Sequence, residues 1–380
     1  MKRLLIFLIC VTASVSHAVT TTFLESGTDA TQGFEFYSST AGTITSDSTV
    51  SHTGPRSIKI DGVSTGAAAR TGVLADAGRR ISFWFRYDTM PSATAGIAQI
   101  LQSGGTLIAA VQVNTNQTLR VTPTGATLIN GTTALATNAW HRICISYTIT
   151  STSSYTFKVF LNGKLEATAT NVTSGTMTNA TSDQFKMLSS TNFGSGKFVW
   201  FDDIYIDNGT TLDDPGNIIV TNKRPNANGA ANAWTTQIGS SGSGYGSGHS
   251  PQVNEQPLST TNGWSITSAS TLTEEYTIEG AATGDKDVSN PRFALVDFMG
   301  WVYTKTGTAG TRNIVVAGSA SNISVTTSYA LYTKAAGSTT YPSTNTAIGM
   351  NNNGSNKLDS LAECGILLAY KLPRRISITP

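Results

Sequence analysis

The chain reads as all-β, with two antiparallel sandwiches in series, the second smaller than the first. Three features point there. Apolar residues recur at a period of two along most of the chain and seldom at 3.6. Short apolar runs follow one another every 8–12 residues or so, separated by Gly, Asn and Pro turn chemistry. Ser and Thr make up about a quarter of the 380 residues, far above ordinary usage, while only 13% are charged. In the first half the pattern predicts strands at 57–61, 80–87, 97–101, 107–113, 140–147, 155–161, 185–188 and 198–206. Turns are expected at Thr53-Gly54-Pro55, Asn130-Gly131 and Asn162-Gly163, the last a strong hairpin signal between FKVFL and KLEATA. Strands resume at 276–278, 292–304, 313–317, 323–325 and 329–334. A single helix is expected at 357–363 and a final strand at 365–372.

The first 18 residues have the form of a signal peptide: a basic start at Lys2 and Arg3, an apolar run from Leu4 to Val11, and Ser16-His17-Ala18 as a small-x-small cleavage site. The expected location from the leader is extracellular, with no membrane association once the leader is removed. The organisation read from composition is signal peptide 1–18, first sandwich 19–212, linker 213–217, second sandwich 218–374 and tail 375–380. The polar stretch NGTTLDDPGN at 208–217 marks the boundary, and Asn226–Gly248 is an Asn/Gly/Ser-rich loop. Net charge is +2, with no basic run, which argues against nucleic acid as the main partner. Cys144 and Cys364 lie in apolar strand-like runs and read as buried small hydrophobes.

The segment WHRICISYTITSTSSYTFKVFLNGKLEATA, with FLESGTD, VSHTGPRSIKI and FVWFDDIYID, resembles the concanavalin A-like (laminin-G-like) jelly roll. The resemblance implies a jelly roll over about 20–210, a fold that serves lectins, glycanases and structural modules alike. Laminarinase-type hydrolases of this fold carry Glu-x-Asp-x-x-Glu on one strand, so that two carboxylates serve as nucleophile and acid. This chain has no such run, and its nearest acidic strand, 202–207, has no glutamate. The expectation is therefore that the protein is not an enzyme.

Strict alternation puts Asp202 on one face with Trp200, Ile204 and Ile206, where an unpaired carboxylate is costly. Glu25 has the same parity as Phe23 on the first strand, and first and last strands often pair in such modules. Glu25 and Asp202 are thus expected to converge, either on a structural calcium completed by carbonyls of the Ser51–Gly54 turn, or with Asp202 satisfied by backbone N–H groups or an arginine. For carbohydrate the strand RISFWFRY is the most informative. Ile81, Phe83, Phe85 and Tyr87 fill one face, and Arg80, Ser82, Trp84 and Arg86 the other. Trp84 is the expected stacking anchor, with Arg80, Arg86 and Arg142 as donors, or else it is covered by a neighbouring loop or the second sheet with arginine stems packed over the ring. His52 and His141 read as hydrogen-bonding turn and strand residues.

The second half resembles a β-domain found after laminin-G-like jelly rolls in structural proteins of tailed phages. The marks are Pro225-Asn226 followed by Trp234, Val253-Asn254-Glu255-Gln256-Pro257, Phe298 with Trp301-Val302-Tyr303, and Thr327-Ser328-Tyr329. Asn254 stands where Asp is usual. The resemblance implies a virion-associated protein such as a tail fibre or decoration protein, partnered by host glycans or other virion proteins. A secreted bacterial carbohydrate-binding or adhesion protein is the alternative, and the leader favours it.

Overall fold

The computed structural model describes residues 21–25, 36–39, 43–61, 67–70, 78–102, 106–151, 154–173, 183–188, 191–234, 236–238, 263–267, 270–278, 294–317, 319–336, 346–352 and 358–371. The leader 1–18, the Gly/Ser run 239–248, the Val253–Pro257 mark and the tail 375–380 lie outside them. The described chain is strand throughout, apart from turns and one 3-10 turn at Thr191–Phe193.

Its strands form four antiparallel sheets. The first runs Lys164–Thr173, Ser154–Leu161, His141–Ser151, Gly78–Tyr87, Phe198–Asp207, Ser57–Asp61, Ile44–Asp47, and Thr21–Glu25 pairs with the end of Phe198–Asp207. The second runs Ile129–Ala134, Thr118–Pro123, Leu107–Val113, Ala95–Gln102, Asp183–Leu188, Ala67–Arg70, Phe36–Ser39. Their facing surfaces enclose one core, in which Ile81, Phe83, Phe85 and Tyr87 meet residues such as Ile100, Val111 and Phe185, as alternation requires. Phe83 and Phe185 touch across the layers, ring centres 5.5 Å apart.

The 162–163 hairpin forms as expected. Asn162 (φ 51°) and Gly163 (φ 89°) both take left-handed conformations, and Leu161 pairs with Lys164 across the two-residue turn. The Asn130-Gly131 turn does not form; those residues lie within Ile129–Ala134, paired to Thr118–Pro123. Glycine is needed there for another reason. A Cβ at 131 would sit 2.9 Å from Glu166 Oε2. That carboxylate accepts the N–H groups of Thr132 (2.6 Å) and Thr133 (3.1 Å) and the Thr133 hydroxyl (2.5 Å), clasping the edge of the second sheet to the edge of the first.

Residues 218–371 build the other two sheets. The third runs Thr236–Ile238, Gly263–Thr267, Leu358–Lys371, Ala294–Thr306, Ala330–Ala335, and Ile218–Lys223 also pairs with Leu358–Lys371. The fourth runs Ala227–Asn232, Thr273–Ile278, Thr346–Asn351, Gly310–Val316, Ser319–Val325. The helix expected at 357–363 is replaced by the long strand Leu358–Lys371. Its segment 359–361 is paired on both sides, Leu361 to Trp264 and to Thr304, so sheet hydrogen bonds override the helix-like spacing of KLDSLAE. Asp359 of that segment is fully buried against Arg312 (2.8 Å). Cys144 and Cys364 are buried free thiols, as read from their runs.

The Glu166 clasp gives a test. Burial alone would raise its pKa, but hydrogen bonds from Thr133, Thr132 and Lys164 pull it down to about 2. Its stabilisation is complete above the unfolded value of about 4.3 and is lost as pH falls through the folded value. Glu166→Gln should cost about 1–2 kcal/mol in urea unfolding at pH 7, with the gap from wild type closing by about pH 2.

Candidate functional site

Strand Phe198–Asp207 is the hub of the first sheet. One edge pairs along Gly78–Tyr87. The other is shared: residues 198–201 pair with Ser57–Asp61, and 204–207 with Thr21–Glu25. A β-bulge lies at the changeover, where Asp203 takes φ 49°. Aspartate tolerates this left-handed conformation better than most residues. The bulge overturns the expected parity. Val199 and Phe201 face the core before it, Ile204 and Ile206 after it, while Asp202 and Asp203 both lie outside the core cluster.

Both aspartates are fully buried, and polar hydrogens surround them. Asp202 accepts the N–H groups of His52 (2.7 Å) and Thr53 (3.2 Å) on one oxygen and that of Asp203 (2.8 Å) on the other. Asp203 binds His52 Nδ1 (2.6 Å), accepts the Thr53 hydroxyl, and accepts the N–H of Val220 (2.6 Å). Of the two accounts of Asp202, the backbone N–H donors are the ones found here, and a cation would have to displace them. Glu25 is not opposite Asp202 but pairs with Ile204, and its side chain lies outside the described residues.

The outer face of the first sheet divides into two regions. At one end Arg80 binds Asp207 (2.8 Å) and Asp213 (3.1 Å). Arg142 forks onto Asp214 (2.5 and 2.6 Å) and the Gly216 carbonyl (2.7 Å), and Ser146 donates to the Asp213 carbonyl. These bonds pin segment 208–216 down on the sheet. Beside it Tyr205 joins an apolar cluster with Ile218, Val220, Met299, Trp301 and Leu367 of the third sheet. Arg80 and Arg142, expected as sugar donors, thus fasten the junction.

The other end is more open. Trp84 is half-buried, and the His52 ring stacks on it with centres 3.7 Å apart. Trp140, also half-buried, meets His52 edge-on at 5.7 Å. Trp84 is therefore a floor beneath His52 rather than the open anchor the sequence suggested. Because an ionised carboxylate only accepts, His52 Nδ1 carries the hydrogen and Nε2 is the acceptor in the neutral ring. Nε2 has no hydrogen bond among the described residues. Trp84 Nε1 and Arg86 Nε are shielded from solvent and reach no acceptor among the described residues. Among those residues Arg86 donates to Asn138 Oδ1 (3.3 Å), and it lies 5.6 Å from the Trp200 ring. Sequence reasoning found Trp84 and Arg86. It missed His52 and Trp140 as parts of the site, since only the long-range pair to Asp203 brings that loop onto the sheet.

Residues 61–201 match the model of the concanavalin A-like lectin/glucanases superfamily. The chain is similar in fold to endo-β-1,4-glucuronan lyase from the fungus Trichoderma reesei, at 17% identity and TM-score 0.41, over 52% of this chain and 99% of that one. It is similar to a carbohydrate esterase of Shiga toxin-encoding bacteriophage phi24B, at 15% identity and TM-score 0.38, over 52% and 100%. A third similar structure is an alginate lyase of Aplysia kurodai, at 12% identity and TM-score 0.37, over 49% and 98%. No curated protein sequence matches. The expectation of a non-enzyme is corrected on this finding. All three are named as enzymes, and the missing Glu-x-Asp-x-x-Glu run bears on one hydrolase type alone.

The buried pair has a pH signature. Burial, then the neighbouring Asp203 charge, raises the Asp202 pKa well above the usual value, with the three N–H donors offsetting part of the rise. A carboxyl raised in the fold contributes stability below the unfolded value of about 4 and loses it as pH rises through the folded value. Wild type should therefore lose stability relative to Asp202→Asn as pH climbs from 4 toward neutrality, read by urea unfolding at each pH.

Proposed function

We propose that the protein binds glycans on the open end of the first sheet's outer face, around Trp84, His52, Trp140 and Arg86. The supporting observation is the pair of shielded N–H donors, Trp84 Nε1 and Arg86 Nε, that meet no acceptor among the described residues, on a face carrying half-buried aromatic rings. Shielded donors without partners are costly, and a ligand that displaces the groups covering them and supplies an acceptor removes the cost. A pyranose offers hydroxyl oxygens to such donors, hydroxyl hydrogens to His52 Nε2, and an apolar C–H face to an indole. The concanavalin A-like match over 61–201 is consistent with this ligand class.

The proposed setting is the surface of a tailed-phage particle, with other virion proteins as partners, or release from a bacterial cell. Its support is the second-half resemblance for the first and the leader-like residues 1–18 for the second. Mass spectrometry of purified particles and of culture supernatant separates the two.

The binding test is a glycan array followed by titration of the best ligand. Trp84→Phe keeps a ring under His52 and removes only Nε1, and Trp140→Ala removes the edge-on indole. Each should raise Kd about tenfold, the equivalent of about 1.4 kcal/mol, with the melting temperature little changed for Trp84→Phe. Wild-type affinity in both variants, or no glycan bound by wild type, would overturn the reading.

A further inference from the structure

On the outer face of the first sheet, Arg80, Arg142 and Lys59 each have carboxylates among the described residues. Arg80 has Asp207 and Asp213, and Arg142 has Asp214. Lys59 lies 3.8 Å from Asp47, with its ammonium 3.8 Å from the Phe198 ring centre. Arg86 has none among the described residues. Its one hydrogen bond there goes to a neutral amide, Asn138, and its Nε is shielded and meets no acceptor among them. The acid across the sheet from its neighbour is already engaged. Asp202 pairs in register with Trp84, but its oxygens accept the N–H groups of His52, Thr53 and Asp203. Asp88, one residue beyond Tyr87, accepts the N–H of Phe198.

A half-buried guanidinium with one neutral partner has planar donor capacity left over, in a shape that matches a carboxylate or sulfate. Resting on the glycan reading above, we infer that the ligand is an anionic saccharide, with Arg86 taking its charged group beside the aromatic rings. The whole chain carries a net charge of only +2, so the preference comes from this local arrangement and not from a general attraction.

The experiment compares polygalacturonate, the same polymer with its carboxyl groups reduced, and dextran sulfate, by affinity electrophoresis and calorimetry. Wild type should bind an anionic polymer at least tenfold more tightly than the reduced one, with the margin narrowing at high salt. Tighter binding of polygalacturonate assigns a carboxylate and tighter binding of dextran sulfate a sulfate; either supports the inference. Arg86→Gln should erase the margin, weakening the anionic polymers far more than the reduced one, and Arg86→Lys, which keeps the charge without the fork, should retain part of it. Should Arg86→Gln fail to fold, the salt dependence in wild type and the reduced margin in Arg86→Lys still decide the matter. Equal wild-type affinity for charged and reduced polymers overturns the inference and leaves the glycan reading standing. An undiminished preference in folded Arg86→Gln also overturns it. Binding of no polymer at all overturns the glycan reading, and this inference with it.

Discussion

The Asp203 carboxylate is fully buried and accepts hydrogen from three separate parts of the chain: the His52 ring, the Thr53 hydroxyl and the backbone N–H of Val220. A buried carboxylate without partners is strongly destabilising, whereas hydrogen bonds to a charge are worth about 1.5–3 kcal/mol each. The group can stay buried only while all three parts remain in place. Asp202 reinforces the arrangement by taking the backbone N–H groups of the same loop. The bulge directs both carboxyls away from the core, so one irregularity in strand Phe198–Asp207 holds the 51–54 turn on the sheet and fixes where residue 220 starts the third sheet's contact.

The two ends of the outer face follow from this placement. With Val220 fixed at the bulge, the segment before it must cross the sheet over Arg80, Arg142 and Ser146, and Asp213 and Asp214 meet those arginines there. The opposite end receives the His52 turn, which stacks on Trp84 and lies beside Trp140. Both arginines meet carboxylates where the chain crosses, and Arg86 meets none among the described residues. The same device that closes one end of the sheet thus arranges the open one, and a ligand there would report indirectly on the integrity of the bulge.

Much of this architecture was legible in the sequence. Alternation placed the core residues of Gly78–Tyr87 correctly, and Asn162-Gly163 announced its hairpin, because both signals depend only on neighbours in the chain. Asp202 was misplaced because strict alternation cannot register an inserted residue; two adjacent acids in an apolar strand were the available clue. Arg80 and Arg142 looked free because Asp213 and Asp214 lie far along the chain in a stretch that read as a plain linker. Leu358–Lys371 read partly as helix because spacing says nothing of strands waiting on either side. Glu166 gave no signal at all, since its role depends on the edge of another sheet.

The most direct measurement is hydrogen exchange of the Val220, His52 and Thr53 amides in wild type and in Asp203→Asn. Asparagine tolerates the left-handed backbone and nearly matches the shape, so the change removes the charge with little added strain. The account expects the Val220 amide to lose most of its protection, with His52 and Thr53 following as their turn loosens, while core amides such as those of Ile145 and Ile366 keep theirs. Unchanged protection at Val220 and in the 52–53 turn would show that the buried carboxylate does not hold these parts together, and would contradict the account.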